Sequence, residues 1–117
     1  MPTERFDCGL AAARHVISGK WKPPILLALR TSGPTRFGQL RRELEGVTEK
    51  VLSQQLKEME AHGLVVRTSY DEVPPRVEYS LTRSGQQLLM ALRELSEWGD
   101  EHFGHLVGPE RSVAARA

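Results

Sequence analysis

The sequence predicts an α+β fold that is mainly α: a winged helix-turn-helix with a two-stranded wing and flanking dimerisation helices. Three observations predict it. Within Val73 to Thr82 the second half alternates, with Val77, Tyr79 and Leu81 on one face and Arg76, Glu78 and Ser80 on the other, the period of a half-buried strand. Upstream, Leu64 to Tyr70 is a second strand-like run rich in Val, Thr and Tyr, and the turn-forming Asp71-Glu72-Val73-Pro74-Pro75 joins the two into one hairpin. Several short helical patterns precede this hairpin and one long pattern follows it. A single basic hairpin behind short helices is the arrangement of a winged helix, an architecture that mostly meets duplex DNA.

The elements follow in order. Residues 1–7 form a short arm, residues 8–106 one DNA-binding and dimerisation domain, and residues 107–117 a loose tail that mixes Gly, Pro, Arg and Ala without period. From Cys8 the chain reads as a helix, with Leu10, Ala13, Val16 and Ile17 on one face, ending at Ser18-Gly19. The next helix starts near Lys20 or Trp21, because Pro23 and Pro24 are tolerated only in a first turn, where backbone N–H groups have no helical partner. It runs through Arg30 and stops at Thr31 to Pro34. Its middle, Ile25 to Leu29, is apolar all round, which makes it the buried centre. An extended Thr35-Arg36 leads into a helix in which Phe37, Leu40 and Leu44 keep helical spacing. Gly46 breaks that helix, and Thr48 caps the next, whose core stripe is Val51, Leu52, Leu56 and Met59 and whose end is His62-Gly63. After the hairpin, Thr82 caps a long helix through about His102. The two helices around Gly46 read as helix-turn-helix, with the one after Thr48 as recognition helix.

Composition narrows the class. At 117 residues the chain is one domain, with 39% apolar and 26% charged residues, as expected of a soluble globular protein. No apolar run approaches the ~20 residues a membrane span requires, and no secretion signal is expected at the N-terminus. One cysteine excludes an internal disulfide, so a reducing cytoplasm is the expected compartment. The net charge of +1 leaves nucleic acid open, since basic groups can gather on one face.

Candidate site residues fall into five groups. On the recognition helix, Lys50, Ser53, Gln54 and Lys57 oppose the core stripe, with Thr48 at the tip. Lysine reaches guanine acceptors or phosphate, glutamine pairs with adenine, and serine serves either; the competing reading is a solvated helix face. Arg76, just past the hairpin tip, can reach a phosphate or the minor groove, or instead pair with the nearby carboxylates Asp71 and Glu72. Lys20 and Lys22 open the central helix and suit phosphates, or serve solubility alone, while Trp21 belongs to the core. In the last helix, Leu88, Leu92, Leu95 and Trp98 are more apolar surface than one small domain covers, so part of it is expected to meet a second subunit; a long helix packed only on its own domain is the alternative. Cys8, at a helix start with Arg5 nearby, is either a reactive thiolate or a small packed residue. His102 and His105 beside Asp100 and Glu101 match no strong zinc pattern, and neither a metal nor a cofactor is expected. With no phosphate loop and no nucleophile elbow, an enzyme is not expected.

Four segments carry a family likeness: Ile17 to Lys22 with its Lys-Trp-Lys, Arg36 to Arg41, Val47 to Glu60, and Val73 to Gly85 with its Val-Pro-Pro-Arg-Val-Glu-Tyr. In order and spacing they resemble the HxlR family of bacterial transcription regulators, within the wider MarR-like winged-helix group, over roughly Cys8 to His102. Glu49, where Gln is common, and Gly9, where Pro is common, depart from the pattern. The resemblance implies a cytoplasmic homodimer on a partly palindromic operator, with the lone N-terminal cysteine as a redox or electrophile sensor. The expected partners are therefore double-stranded DNA, a second copy of the chain and a small electrophile or oxidant, with no membrane. The alternatives are a MarR-like regulator answering a small ligand, and a winged helix used only for protein interaction.

Overall fold

The computed structural model describes residues 5–30 and 33–108. Their order is α1 (Gly9–Val16), α2 (Lys22–Ala28), β1 (Thr35–Arg36), α3 (Phe37–Glu43), α4 (Glu49–Ala61), β2 (Val65–Tyr70), β3 (Arg76–Leu81) and α5 (Arg83–Phe103), with a turn of 3-10 helix at Gly104–Leu106. Residues 1–4 of the expected arm and 109–117 of the expected tail lie outside the described residues. So do Thr31 and Ser32, within the expected stop of the second helix.

The expected apolar centre is the centre. Ile25, Leu26 and Leu29 are enclosed, and Leu40, Leu52, Leu56 and Met59 close over them from α3 and α4. Val65 and Tyr79 come in from the sheet and Leu89 from α5. The sheet is antiparallel in the order β1-β3-β2, so the expected two-stranded wing gains Thr35-Arg36 as a third, short strand. Pairing sets Tyr79 between Thr35 and Arg67, and Val77 beside Ser69. Because paired residues share a face, Val77, Tyr79 and Leu81 all point at the helices, as their alternation predicts.

Capping fixes the ends of α4. The Thr48 hydroxyl accepts from the Val51 amide at 3.1 Å. At the other end Gly63 takes φ 74°, its amide donates to the Glu60 carbonyl, and the Leu64 amide donates to the Met59 carbonyl at 2.9 Å. Those two bonds are a Schellman motif, whose left-handed residue is glycine because a Cβ there is strained.

One expectation changes. The second helix ends at Ala28 rather than Arg30, because its last turn tightens: the Arg30 amide reaches back to the Leu27 carbonyl at 3.1 Å, and the Arg30 guanidinium donates to the same oxygen at 2.8 Å. The apolar face of the first helix is only partly covered: Val16 packs against the core, and Ala13 and Ile17 are half-buried. No residue of α1 is fully enclosed, and Leu10 is 72% exposed. Helical spacing says that a face is apolar, not that the same subunit covers it.

Candidate nucleic-acid interface

Helix α3, the turn at Gly46 and helix α4 place one 13-residue helix against the core by a single stripe. The opposite side is open: Lys50, Gln54 and Lys57 are exposed and Ser53 is half-buried. Thr48 is exposed at the tip, with its hydroxyl already holding the Val51 amide. Beside α4 runs an open groove of about 820 Å³ bounded by Lys50, Ser53 and Lys57 on the helix and by Arg67, Val77 and Tyr79 on the sheet. Glu49 and Glu60 also line it, so its wall carries three cations and two carboxylates. One carboxylate is offset, since Glu49 lies 3.7 Å from the Arg41 guanidinium of α3.

Arg67 is the residue the sequence reading missed. Its register beside Tyr79 places it on the inward face of β2, yet it is exposed because the core ends before reaching it. It therefore faces the groove. The signal was present in the strand pairing: a basic residue two positions beyond the buried Val65, on the same face.

Two expected contacts are placed differently. Lys22 is 3% exposed and lies 3.7 Å from Glu58 of α4, which also accepts from the Gln55 amide at 3.0 Å. A buried, paired ammonium is not available to a phosphate, so Lys22 ties α2 to the recognition helix and leaves the candidate contact set. Arg76 is held within the chain. It donates to Glu72 at 2.6 Å and to Glu78 at 3.2 Å, and its guanidinium stacks 3.8 Å over the Tyr70 ring. Chiefly through the Glu72 hydrogen bond, its pKa is raised above the ordinary arginine value. The pairing reading left open by the sequence therefore holds for Arg76, with Glu72 and Glu78 as partners. Lys20 is exposed over the Trp21 ring at 5.1 Å, and Trp21 packs against the core from its half-buried place.

The last helix divides its four residues. Leu88 and Leu92 pack on the subunit's own core, the arrangement named as the alternative, whereas Leu95 is 60% and Trp98 54% exposed. Met90, Phe103 and Leu106 are exposed as well, with the Phe103 ring 5.5 Å from that of Trp98. Cys8 is an exposed free thiol at the N-cap of α1, where its side chain makes no capping bond. Ring contacts run from its neighbour Phe6 to His15 of α1 at 5.0 Å and from His15 to His62 at 6.1 Å, and His62 is the C-cap of α4. Among the described residues no group of three or more His, Cys, Asp or Glu stands close enough to hold a metal, and no helix is long and apolar enough to cross a membrane.

A capped helix behind a glycine turn, flanked by a paired hairpin, defines the winged helix-turn-helix class of transcription regulators. Residues 16–106 match the HxlR-like helix-turn-helix family, and the chain belongs to it. It is 46% identical over 96 residues to the helix-turn-helix-type transcriptional regulator YkvN of Bacillus subtilis, covering 82% of this chain and 80% of that one. Among solved structures, the redox regulator HypR in its oxidised form is 39% identical with a TM-score of 0.71, over 81% of this chain and 97% of HypR. The reduced form of the B. subtilis transcriptional regulator YodB is 28% identical with a TM-score of 0.72, over 84% and 96%. The protein is thus a transcription regulator of the HxlR-like helix-turn-helix family, and its relatives are regulators rather than enzymes.

Proposed function

We propose that the protein reads a specific duplex operator as a cytoplasmic homodimer, with α4 in the major groove. The observation that carries this reading is the open side of α4: Lys50, Gln54 and Lys57 stand away from the core, and Lys50 and Lys57 continue into a groove walled by Arg67. Lysine and arginine there neutralise phosphates, and Gln54 can accept from and donate to an adenine edge. A two-fold dimer carries two such helices, so the operator is an inverted repeat with half-sites about 34 Å apart. The test is affinity for selected and random duplexes across a salt series. A steep fall of affinity with salt together with a preference for selected sites supports the reading; salt-independent binding, or none, overturns it.

A second layer is a redox or electrophile response through Cys8, favoured by its exposure and by the likeness to HypR and YodB. Two Cys8 thiols of a dimer can join as a disulfide, their two protons and two electrons passing to diamide to give the hydrazine, if their Cα atoms come within about 7 Å. A quinone would instead add to one thiolate. Either product shifts the start of α1, and the Phe6, His15 and His62 rings connect that start to the end of α4. Operator affinity measured with and without diamide or quinone, in the unmutated protein and in Cys8→Ser, tests it; equal responses leave Cys8 without a sensing role.

A further inference from the structure

Glu49 is an acid placed where a DNA reader's first contacts fall. It is the first residue of α4, its side chain is 73% exposed, and it shares the groove wall with Lys50, Ser53, Lys57 and Arg67. A carboxylate at this end favours the helix itself, because the unpaired N–H groups there leave a partial positive charge. That accounts for a stable helix start. It does not account for what happens when the same tip approaches a polyanion, where an uncompensated carboxylate is repelled. The structure supplies the compensation: Arg41 of the preceding helix lies 3.7 Å from Glu49 and is itself half exposed. A guanidinium has five donors in a planar fork, so Arg41 can hold Glu49 and still face a phosphate.

The geometry points to Glu49, positioned by Arg41, as the residue that selects a cytosine in each operator half-site. The inference rests on the DNA-reading function proposed above and deepens it. An ionised carboxylate only accepts hydrogen bonds. In the major groove guanine offers N7 and O6 and thymine offers O4, all acceptors that repel a carboxylate. Adenine sets its N6 donor beside the N7 acceptor. Cytosine presents the N4 amino group alone. Glu49 thus acts in two ways at one base pair: it accepts from cytosine N4 and it penalises acceptor-rich edges, and discrimination is the difference between the two. Gln54 and Lys50 cannot substitute, since an amide tolerates either pattern and an ammonium favours guanine.

The closing experiment selects bound sites from random duplexes with the unmutated protein and with Glu49→Gln, then measures affinity for the selected site, for the same site with that cytosine changed, and for random duplex. In the unmutated protein one position per half-site is cytosine, and changing it lowers affinity about five- to tenfold. In Glu49→Gln the cytosine preference is lost at that position alone, while affinity for random duplex rises because a negative charge has gone. The inference is overturned if both proteins select the same base there, or if no selected position depends on residue 49. If neither protein separates selected from random duplex, the DNA-reading function itself fails, and this assignment with it.

Discussion

Arg67 and Arg76 sit on neighbouring strands and have opposite electrostatic fates. Arg76 already has two carboxylate partners and a ring beneath it, so a phosphate would have to displace charge-assisted hydrogen bonds that are already formed. Arg67 faces an open groove beside Lys50 and Lys57. Arg67→Ala is therefore expected to flatten the dependence of log affinity on log salt by about one unit per subunit, while Arg76→Ala leaves that slope nearly unchanged and loosens the hairpin. Salt titrations of the two variants decide it; equal slopes would mean the groove is not the phosphate path. Lys22→Ala belongs with Arg76, altering thermal stability and not the slope. The sequence made Arg76 conspicuous and Arg67 invisible for one reason. Proximity to a hairpin tip can be read along the chain, whereas exposure of an inward-facing arginine depends on cross-strand register and on where the core stops. Register is likewise what gives Arg76 its Tyr70 platform. Lys22 was misread because its partner Glu58 is 36 residues away on another helix.

At the scale of elements, the molecule is organised by one junction where α4 ends, β2 begins and α5 starts. The Thr82 hydroxyl donates to the Gly63 carbonyl at 2.6 Å and accepts from the Gly85 amide at 3.0 Å, while the Thr82 amide donates to the Leu64 carbonyl at 3.0 Å. Gly85 is buried because α5 passes directly over that Leu64 carbonyl: a Cβ added there would collide with it, and the atom struck is backbone that cannot swing aside. Gly85→Ala is accordingly expected to cost about 1–3 kcal/mol as overpacking, read as a lower urea midpoint at unchanged slope. Thr48→Ala, which removes one cap bond at an exposed helix start, should cost about 1 kcal/mol by the same measurement. A Gly85→Ala protein as stable as the unmutated one would show that the crossing is looser than described. The caps at Thr48 and Thr82, the glycine stop at Gly63 and the strand alternation were legible because each is a local rule. The role of Gly85 was not, since a glycine inside a helix start shows nothing in sequence of what lies against it.

For the whole molecule, the proposed homodimer rests on apolar surface that the subunit leaves open. Leu95 and Trp98 are more than half exposed on the distal half of α5, with the Phe103 ring against Trp98, and Met90, Leu106 and Leu10 of α1 are also bare. Leu88, Leu89 and Leu92 of the proximal half are used by the subunit's own core. One helix thus has two clients: its first half holds the domain together, and its second half extends beyond the domain's cover. Scattered apolar residues are ordinary on a surface, but Leu95 and Trp98 stand three residues apart on one side of α5 and the Trp98 ring lies 5.5 Å from that of Phe103, a patch suited to an isologous contact. The same division separates two kinds of variant that the sequence alone would have pooled. Leu95→Asp or Trp98→Ala should yield folded monomers, with unchanged far-UV circular dichroism, by light scattering at micromolar concentration. Leu92→Asp should instead lower the unfolding midpoint, because its charge enters the core side of α5. Monomerisation also predicts a change at the operator. Two half-sites bound independently lose the advantage of linkage, so Leu95→Asp should bind a full operator little better than one half-site while retaining its base preference. A Leu95→Asp protein that remains dimeric would place the subunit contact elsewhere on the chain, and an unmutated protein that scatters as a monomer would remove the contact altogether.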